Sequence, residues 1–138
     1  MTSRPPRVQL GEAVRGAPGE RLLDIRDQNR VVIGQISYRN VDRRRRRAEL
    51  GIELYPPYRG QGLGTDAIRL LLRILFDRES LDTVYLRVYA NNHDARRAYE
   101  RVGFRYVRTV RWPLIGLVRY LVMEIERQEF SWVPEEPR

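Results

Sequence analysis

The segment Arg59-Gly60-Gln61-Gly62-Leu63-Gly64-Thr65 constrains this chain more than any other, because it sets three glycines at alternate positions between a strand pattern and a helix pattern. On its N-terminal side Glu49-Leu50-Gly51-Ile52-Glu53-Leu54-Tyr55 alternates. Leu50, Ile52 and Leu54 fall on one face and the carboxylates of Glu49 and Glu53 on the other. Pro56-Pro57 ends that strand, since proline cannot donate to a ladder. On its C-terminal side Ile68, Leu71, Leu72 and Leu75 recur at i, i+3, i+4 and i+7, which predicts a helix from Gly62 to about Asp77 with one buried face.

A strand, a glycine turn and a helix in that order suit an anion. Glycines let the backbone approach a ligand closely, and the first turn of a helix presents unpaired N–H groups at a positive dipole end, as a pyrophosphate requires. Arg59 adds a fork-shaped charge beside them. Two other phosphate motifs fail on the same letters. A P-loop needs Gly-Lys followed by Ser or Thr, and the chain has no lysine. A Rossmann fingerprint needs G-x-G-x-x-G and an acid at the end of the next strand, whereas Gly60, Gly62 and Gly64 are spaced by two and that strand ends in Tyr89-Ala90-Asn91-Asn92. A merely tight connection would explain the turn too, but three glycines cost order that packing alone seldom requires.

Around this turn the rest of the chain reads as short strands and one more helix. Leu22–Ile25 and Val31–Ile36 are β-rich runs separated by Asp27-Gln28-Asn29, a hairpin, and a second turn holds Asn40, Asp42 and Arg43 to Arg47. Thr83 to Tyr89 alternates as a strand. Ala95, Ala98, Tyr99 and Val102 then repeat the helical spacing, with Asn92 as N-cap and Gly103 as C-terminal stop. A closing hairpin has arms at Phe104–Arg111 and Leu117–Ile125. The order β-β-β-α-β-α-β-β predicts an α/β fold on a mixed sheet: a weakly ordered lead-in over residues 1–20, one domain over 21–126 and a tail over 127–138.

A length of 138 residues suits one core. Cysteine is absent and His93 is the one histidine, which removes thiolate metal sites and a cysteine nucleophile and argues against any metal. The net charge of +8 comes entirely from arginine and favours an anionic ligand or partner, unless it reflects a general arginine bias. Arg43 to Arg47 reads more readily as a solvated turn than as a nucleic-acid contact. With no bilayer-length apolar stretch and no apolar core near Met1, the expectation is a cytoplasmic protein without a membrane anchor.

The chain resembles the GNAT family of N-acetyltransferases. That family's Q/R-x-x-G-x-G/A signature is met by Arg59, Gly62 and Gly64, and its later pattern by Asn92, Ala95, Tyr99, Gly103 and Phe104. Ala48-Glu49-Leu50-Gly51 looks most like the group acting on ribosomal-protein N-termini and polyamines. The resemblance implies a GNAT-like mixed sheet flanked by helices, acetyl-CoA as co-substrate, and transfer of its acetyl group to a primary amine such as a peptide N-terminus. It implies that strands 49–55 and 83–89 splay apart around the pantetheine arm, with Leu54, Arg59, Gly60, Gln61, Gly62, Leu63, Gly64, Thr65 and Asn92 holding the cofactor. Without cysteine, direct attack is favoured over an acyl-enzyme. Tyr99 matches the position that commonly protonates the thiolate, although it also lies on an apolar stripe where a ring packs. Glu49 matches the acidic position and is the first candidate to accept the amine proton, with Glu53 in reserve; the alternative for either is simply to pair with arginine. Asn92 either bonds the pantetheine arm or only caps its helix.

The departure lies between the first strands. Family members usually place two helices there, and Gly11 to Glu20, with four glycines and prolines, is too short and broken for them. The N-terminal helix pair is therefore reduced or missing, and the acceptor side is open or completed by another subunit. The apolar loop Trp112 to Leu117 with Phe130 and Trp132 suggests a homodimer. A non-catalytic acyl-CoA-binding module and a nucleic-acid-associated protein are the alternative readings.

Overall fold

The computed structural model describes residues 5–112 and 118–132. In chain order these form β1 (Gln9–Leu10), β2 (Val14–Arg15), β3 (Arg21–Arg26), β4 (Val32–Asp42), β5 (Arg47–Leu54), α1 (Leu63–Arg73), β6 (Thr83–Tyr89), α2 (His93–Val102), β7 (Arg105–Trp112) and β8 (Val118–Glu126). They build one sheet in the order β1-β3-β4-β5-β6-β8-β7, with β2 also on β3. β5 and β6 run parallel, and the other pairings are antiparallel. The expected α/β mixed sheet is present, and the described chain between β1 and β3 holds β2 in place of a helix pair.

Alternation decides which sheet face is covered. Leu50 of β5, Leu86 of β6 and Met123 of β8 point into one core with Ile68, Leu71 and Leu72 of the apolar stripe of α1, and with Val102 and Tyr99 of α2. Each fully buried leucine contributes about 2 kcal/mol by leaving water. The opposite face carries polar and aromatic side chains, among them Arg39, Glu49, Glu53, Tyr85 and Arg87. The α-helical hydrogen bonding of α1 stops at Arg73 and a π-helical turn, Ile74–Arg78, carries Leu75 and Phe76 into the core.

Two expectations change. Residues 7–15 of the lead-in are tied to the sheet rather than weakly ordered: Gln9 pairs with Arg26, Leu10 with Ile25 and Val14 with Leu22, and Val8 is buried. Arg7 donates through its backbone N and its Nε to Asp66 Oδ2 in the first turn of α1, each at 3.1 Å. The start of the tail also packs back. Arg127 donates to Leu81 O at 2.7 Å, and Phe130 lies 5.7 Å from the ring of Phe76 and 6.4 Å from that of Trp132. Phe130 therefore packs against its own core, with Trp132 beside it, rather than forming a patch for a partner; residues 113–117 of the apolar loop lie outside the described residues. The arginine run is the exposed turn that was expected, with Arg43 donating to Glu79 O and Arg46 to Ser80 O, both at 3.0 Å. Among the described residues no helix is long and apolar enough to cross a membrane, and no group of acidic residues and histidine gathers as a metal site.

Candidate active site

The site begins where a ladder stops. β5 and β6 pair through Arg47↔Thr83, Ala48↔Val84 and Glu49↔Tyr85 and no further, although the strands run on to Leu54 and Tyr89. Beyond Glu49 the facing edges have parted, so their backbone groups there do not satisfy one another. This is the splay that the resemblance implied for these two strands.

At the end of β5 the chain makes a 3-10 turn, Pro56–Tyr58, and enters the glycine segment. Gly60 (φ 75°) and Gly62 (φ 80°) are left-handed, which explains two of the three glycines sterically. Gly62 is the N-cap of α1 and no side chain caps that helix, so its first N–H groups keep their bonding capacity. Gly64 answers a different demand: a Cβ there would stand 3.3 Å from Leu54 Cδ1 and 3.6 Å from Ile52 Cδ1. Arg59 is anchored by its Nε, which donates to Leu54 O at 2.8 Å and leaves the guanidinium η nitrogens available.

Turn, parted strand and α2 enclose a cleft of about 780 Å³. Glu53, Leu54, Arg59, Gly60, Gly62, Gly64, Thr65, Asn92 and Tyr99 all line it. Gln61 and Leu63 do not. Gln61 Nε2 donates to Pro57 O at 3.1 Å and braces the turn, and Leu63 packs against the core. Asn92 Oδ1 accepts from Ala95 N at 3.2 Å, so it caps α2 and lines the cleft at once. The sequence reading passed over Asp94, Arg97 and Arg101, which also line the cleft. Their i, i+3, i+7 spacing on α2 was the available signal, and Arg97 is held by Asp94 at 2.8 Å.

Tyr99 reaches the cleft from α2 with its ring edge-on to Phe104, centroids 6.1 Å apart. Burial raises its pKa above the ordinary tyrosine value, so the phenol keeps its proton and remains a donor. Glu53 is exposed at the cleft, with no salt bridge among the described residues.

Glu49 stands elsewhere and is not among the cleft residues. Its Oε2 accepts from Arg87 Nε at 2.7 Å and from Arg39 Nη2 at 3.0 Å, and its Oε1 accepts from Asn40 Nδ2 at 2.9 Å. Burial opposes its charge, but the hydrogen bonds from Arg87 and Arg39 overbalance burial and hold the carboxyl below the usual carboxylate range. A carboxylate bonded on both oxygens and held ionised is a poor acceptor for an amine proton.

The family model described as an acetyltransferase (GNAT) domain matches residues 10–105. The chain belongs to the GNAT acetyltransferase domain family. Among relatives of this GNAT domain, YdaF of Bacillus subtilis (strain 168), provisionally named a ribosomal N-acetyltransferase, is 34% identical over 71 residues, covering 51% of this chain and 39% of that protein. YokL of the same organism, an uncharacterized N-acetyltransferase derived from prophage SPbeta, is 29% identical over 84 residues, 61% of this chain and 47% of that protein. The GNAT domain thus spans less than half the length of these two relatives. A dodecameric spermidine N-acetyltransferase from Vibrio cholerae superposes with a TM-score of 0.74 at 25% identity, covering 82% of this chain and 68% of that one. The same kind of enzyme solved with CoA and spermine gives 0.74 at 24%, over 80% and 68%, and supports the fold.

Proposed function

We propose that this protein transfers an acetyl group from acetyl-CoA to a primary amine by direct attack in a ternary complex. The observation that carries the reading is the meeting, in one cleft, of the uncapped N-terminus of α1 and a half-buried Tyr99 that keeps its proton, beside two parted parallel strands.

The residues fit the co-substrate. The N–H groups at the start of α1 and the guanidinium of Arg59 would bind the diphosphate, and the absence of a Cβ at Gly64 keeps the wall beside Leu54 open. The parted backbone of β5 and β6 offers hydrogen bonds to an extended amide-bearing arm. Bound acetyl-CoA would supply the acetyl group as an activated thioester. Tyr99 then donates its phenolic proton to the departing sulfur, and Glu53 takes the proton that the attacking nitrogen releases, directly or through water. With no cysteine in the chain, no thioester relay through the protein is available.

A flexible peptide N-terminus fits the acceptor side better than a polyamine. The net charge is +8 and Arg59, Arg97 and Arg101 rim the cleft, which repels a polycation. Self-association through the loop at 112–117 would close that side in the absence of the N-terminal helices.

The test is release of CoA thiol from acetyl-CoA across a panel of peptides and polyamines, read against a protein that has no thiol of its own. Binding of CoA without turnover on any amine would leave the non-catalytic acyl-CoA module as the reading.

A further inference from the structure

If the register of β5 and β6 continued, Arg87 would stand opposite Gly51. Its side chain is instead drawn back toward β5 at Glu49, with Nε 2.7 Å from Oε2. Arg39 of β4 reaches the same oxygen at 3.0 Å, and Asn40 satisfies the other at 2.9 Å. A Cβ on Gly51 would come within 2.8 Å of Arg39 Nη1 and 3.0 Å of Ser37 Oγ, so the space over Gly51 is already taken up by this cluster. The carboxylate at its centre is 2% exposed. One buried charge thus ties β4, β5 and β6 together beside the last rung before β5 and β6 part. Charge-assisted bonds in such a setting are strong, and removing Arg87 leaves Arg39 and Asn40 to hold the buried carboxylate alone.

We infer that Glu49 and Arg87 form a positioning pair: by holding Arg87 back across the last paired rung, Glu49 fixes where β5 and β6 separate and so sets the opening in which the thioester must lie. The inference rests on the acetyl-transfer reading and adds residues that act on the reaction without touching the reacting atoms. Glu49 gains and loses no proton in it. A shift of about 1 Å in such an opening is enough to cost up to roughly 10²-fold in rate.

The test uses the full chain and the variants Glu49→Gln, Arg87→Gln, Arg87→Lys and the double Glu49→Gln/Arg87→Gln. The readouts are kcat and KM for acetyl-CoA, the pH profile of kcat, CoA affinity and the thermal melt. Each single Gln variant should lose about tenfold or more in kcat/KM, and the double variant should fall no further than the worse single, as coupled sites do. The shape of the pH profile should not change, and Arg87→Lys should recover part of the loss. The inference is overturned if Arg87→Gln turns over like the wild type, if the two losses simply multiply, or if Glu49→Gln alone collapses kcat with an altered pH profile. The last result would make Glu49 the proton acceptor. Should Glu49→Gln fail to fold, Arg87→Gln and Arg87→Lys decide the matter by themselves. A wild-type protein that neither binds CoA nor acetylates any amine refutes acetyl transfer itself, whereas an active wild type with an unaffected Arg87→Gln refutes only the pair.

Discussion

Arg87 Nε donates to Glu49 Oε2 at 2.7 Å across the parallel strand pair, one carboxylate serving β6, β5 and, through Arg39 and Asn40, β4. Because the folded state holds this carboxyl below its ordinary value of 4.5, the unfolded chain binds more protons in the window between the two values. Stability therefore rises with pH there: the contribution is complete above about pH 4.5 and is lost as pH falls through the folded value. The Tm of the wild type should drop on acidification through that window more steeply than the Tm of Glu49→Gln. Thermal melts between pH 7 and 3 read this directly, and parallel curves would mean that Glu49 titrates as an ordinary surface acid.

The phosphate turn makes a separate prediction. Gly62→Glu would place a side chain on a left-handed residue (φ 80°) and an anion where an anion must bind, so CoA affinity should fall below detection. Gly62→Asn, which tolerates that backbone, should fold with less strain and keep part of the affinity. Isothermal titration with CoA separates the two; an unchanged affinity in Gly62→Glu would remove the turn from the site.

For Tyr99 the expected result is a split. Tyr99→Phe keeps the ring on Phe104 and deletes only the hydroxyl, so Tm and CoA affinity should hold while kcat falls by roughly 10²-fold. The wild-type rate should also show no loss of the tyrosine acid until above pH 10.0, since burial moves this phenol upward. Normal turnover in Tyr99→Phe would leave the ring as packing.

How far the sequence carried these statements depended on distance along the chain. The glycine turn, the stripe of α1 and the cap at Asn92 are local patterns, in which spacing alone dictates geometry, and each is found where it was expected. Glu49 shows the limit. Its partners lie 10 residues before it and 38 after it, on strands whose register no local period specifies, so a buried ion-pair hub looked the same as a solvated base. The short strands β1 and β2 are two residues each and carry no period at all, and Phe130 finds Phe76 only after the chain has closed.

The acceptor prediction follows from charge. A peptide with an acidic residue near its free N-terminus should be acetylated with a higher kcat/KM than spermidine, and the preference should shrink as salt screens the arginines within about 10 Å at 0.1 M. Rates measured at two ionic strengths test both parts, and spermidine turned over far faster than any peptide would reverse the assignment.

Self-association is the last expectation, and its footing has narrowed. Phe130 packs on Phe76 with Trp132 beside it, which leaves the sheet face without helices and the apolar side chains near its β7–β8 margin for a partner. Tyr89, Tyr106, Val107 and Val118 are 63%, 57%, 37% and 39% exposed. β7 is also a sheet edge of eight residues, and long edges of that kind recruit another strand unless they are blocked. If a homodimer formed there completes the acceptor side, dimer formation and amine turnover should fail together. Val107→Lys puts a charge on that edge and leaves the cleft residues untouched. Sedimentation of the wild type should give a dimer at micromolar concentration, and Val107→Lys should give a monomer with CoA affinity retained and amine turnover reduced. A wild-type monomer at that concentration, or a monomeric variant with full turnover, would show that each chain completes its acceptor site alone.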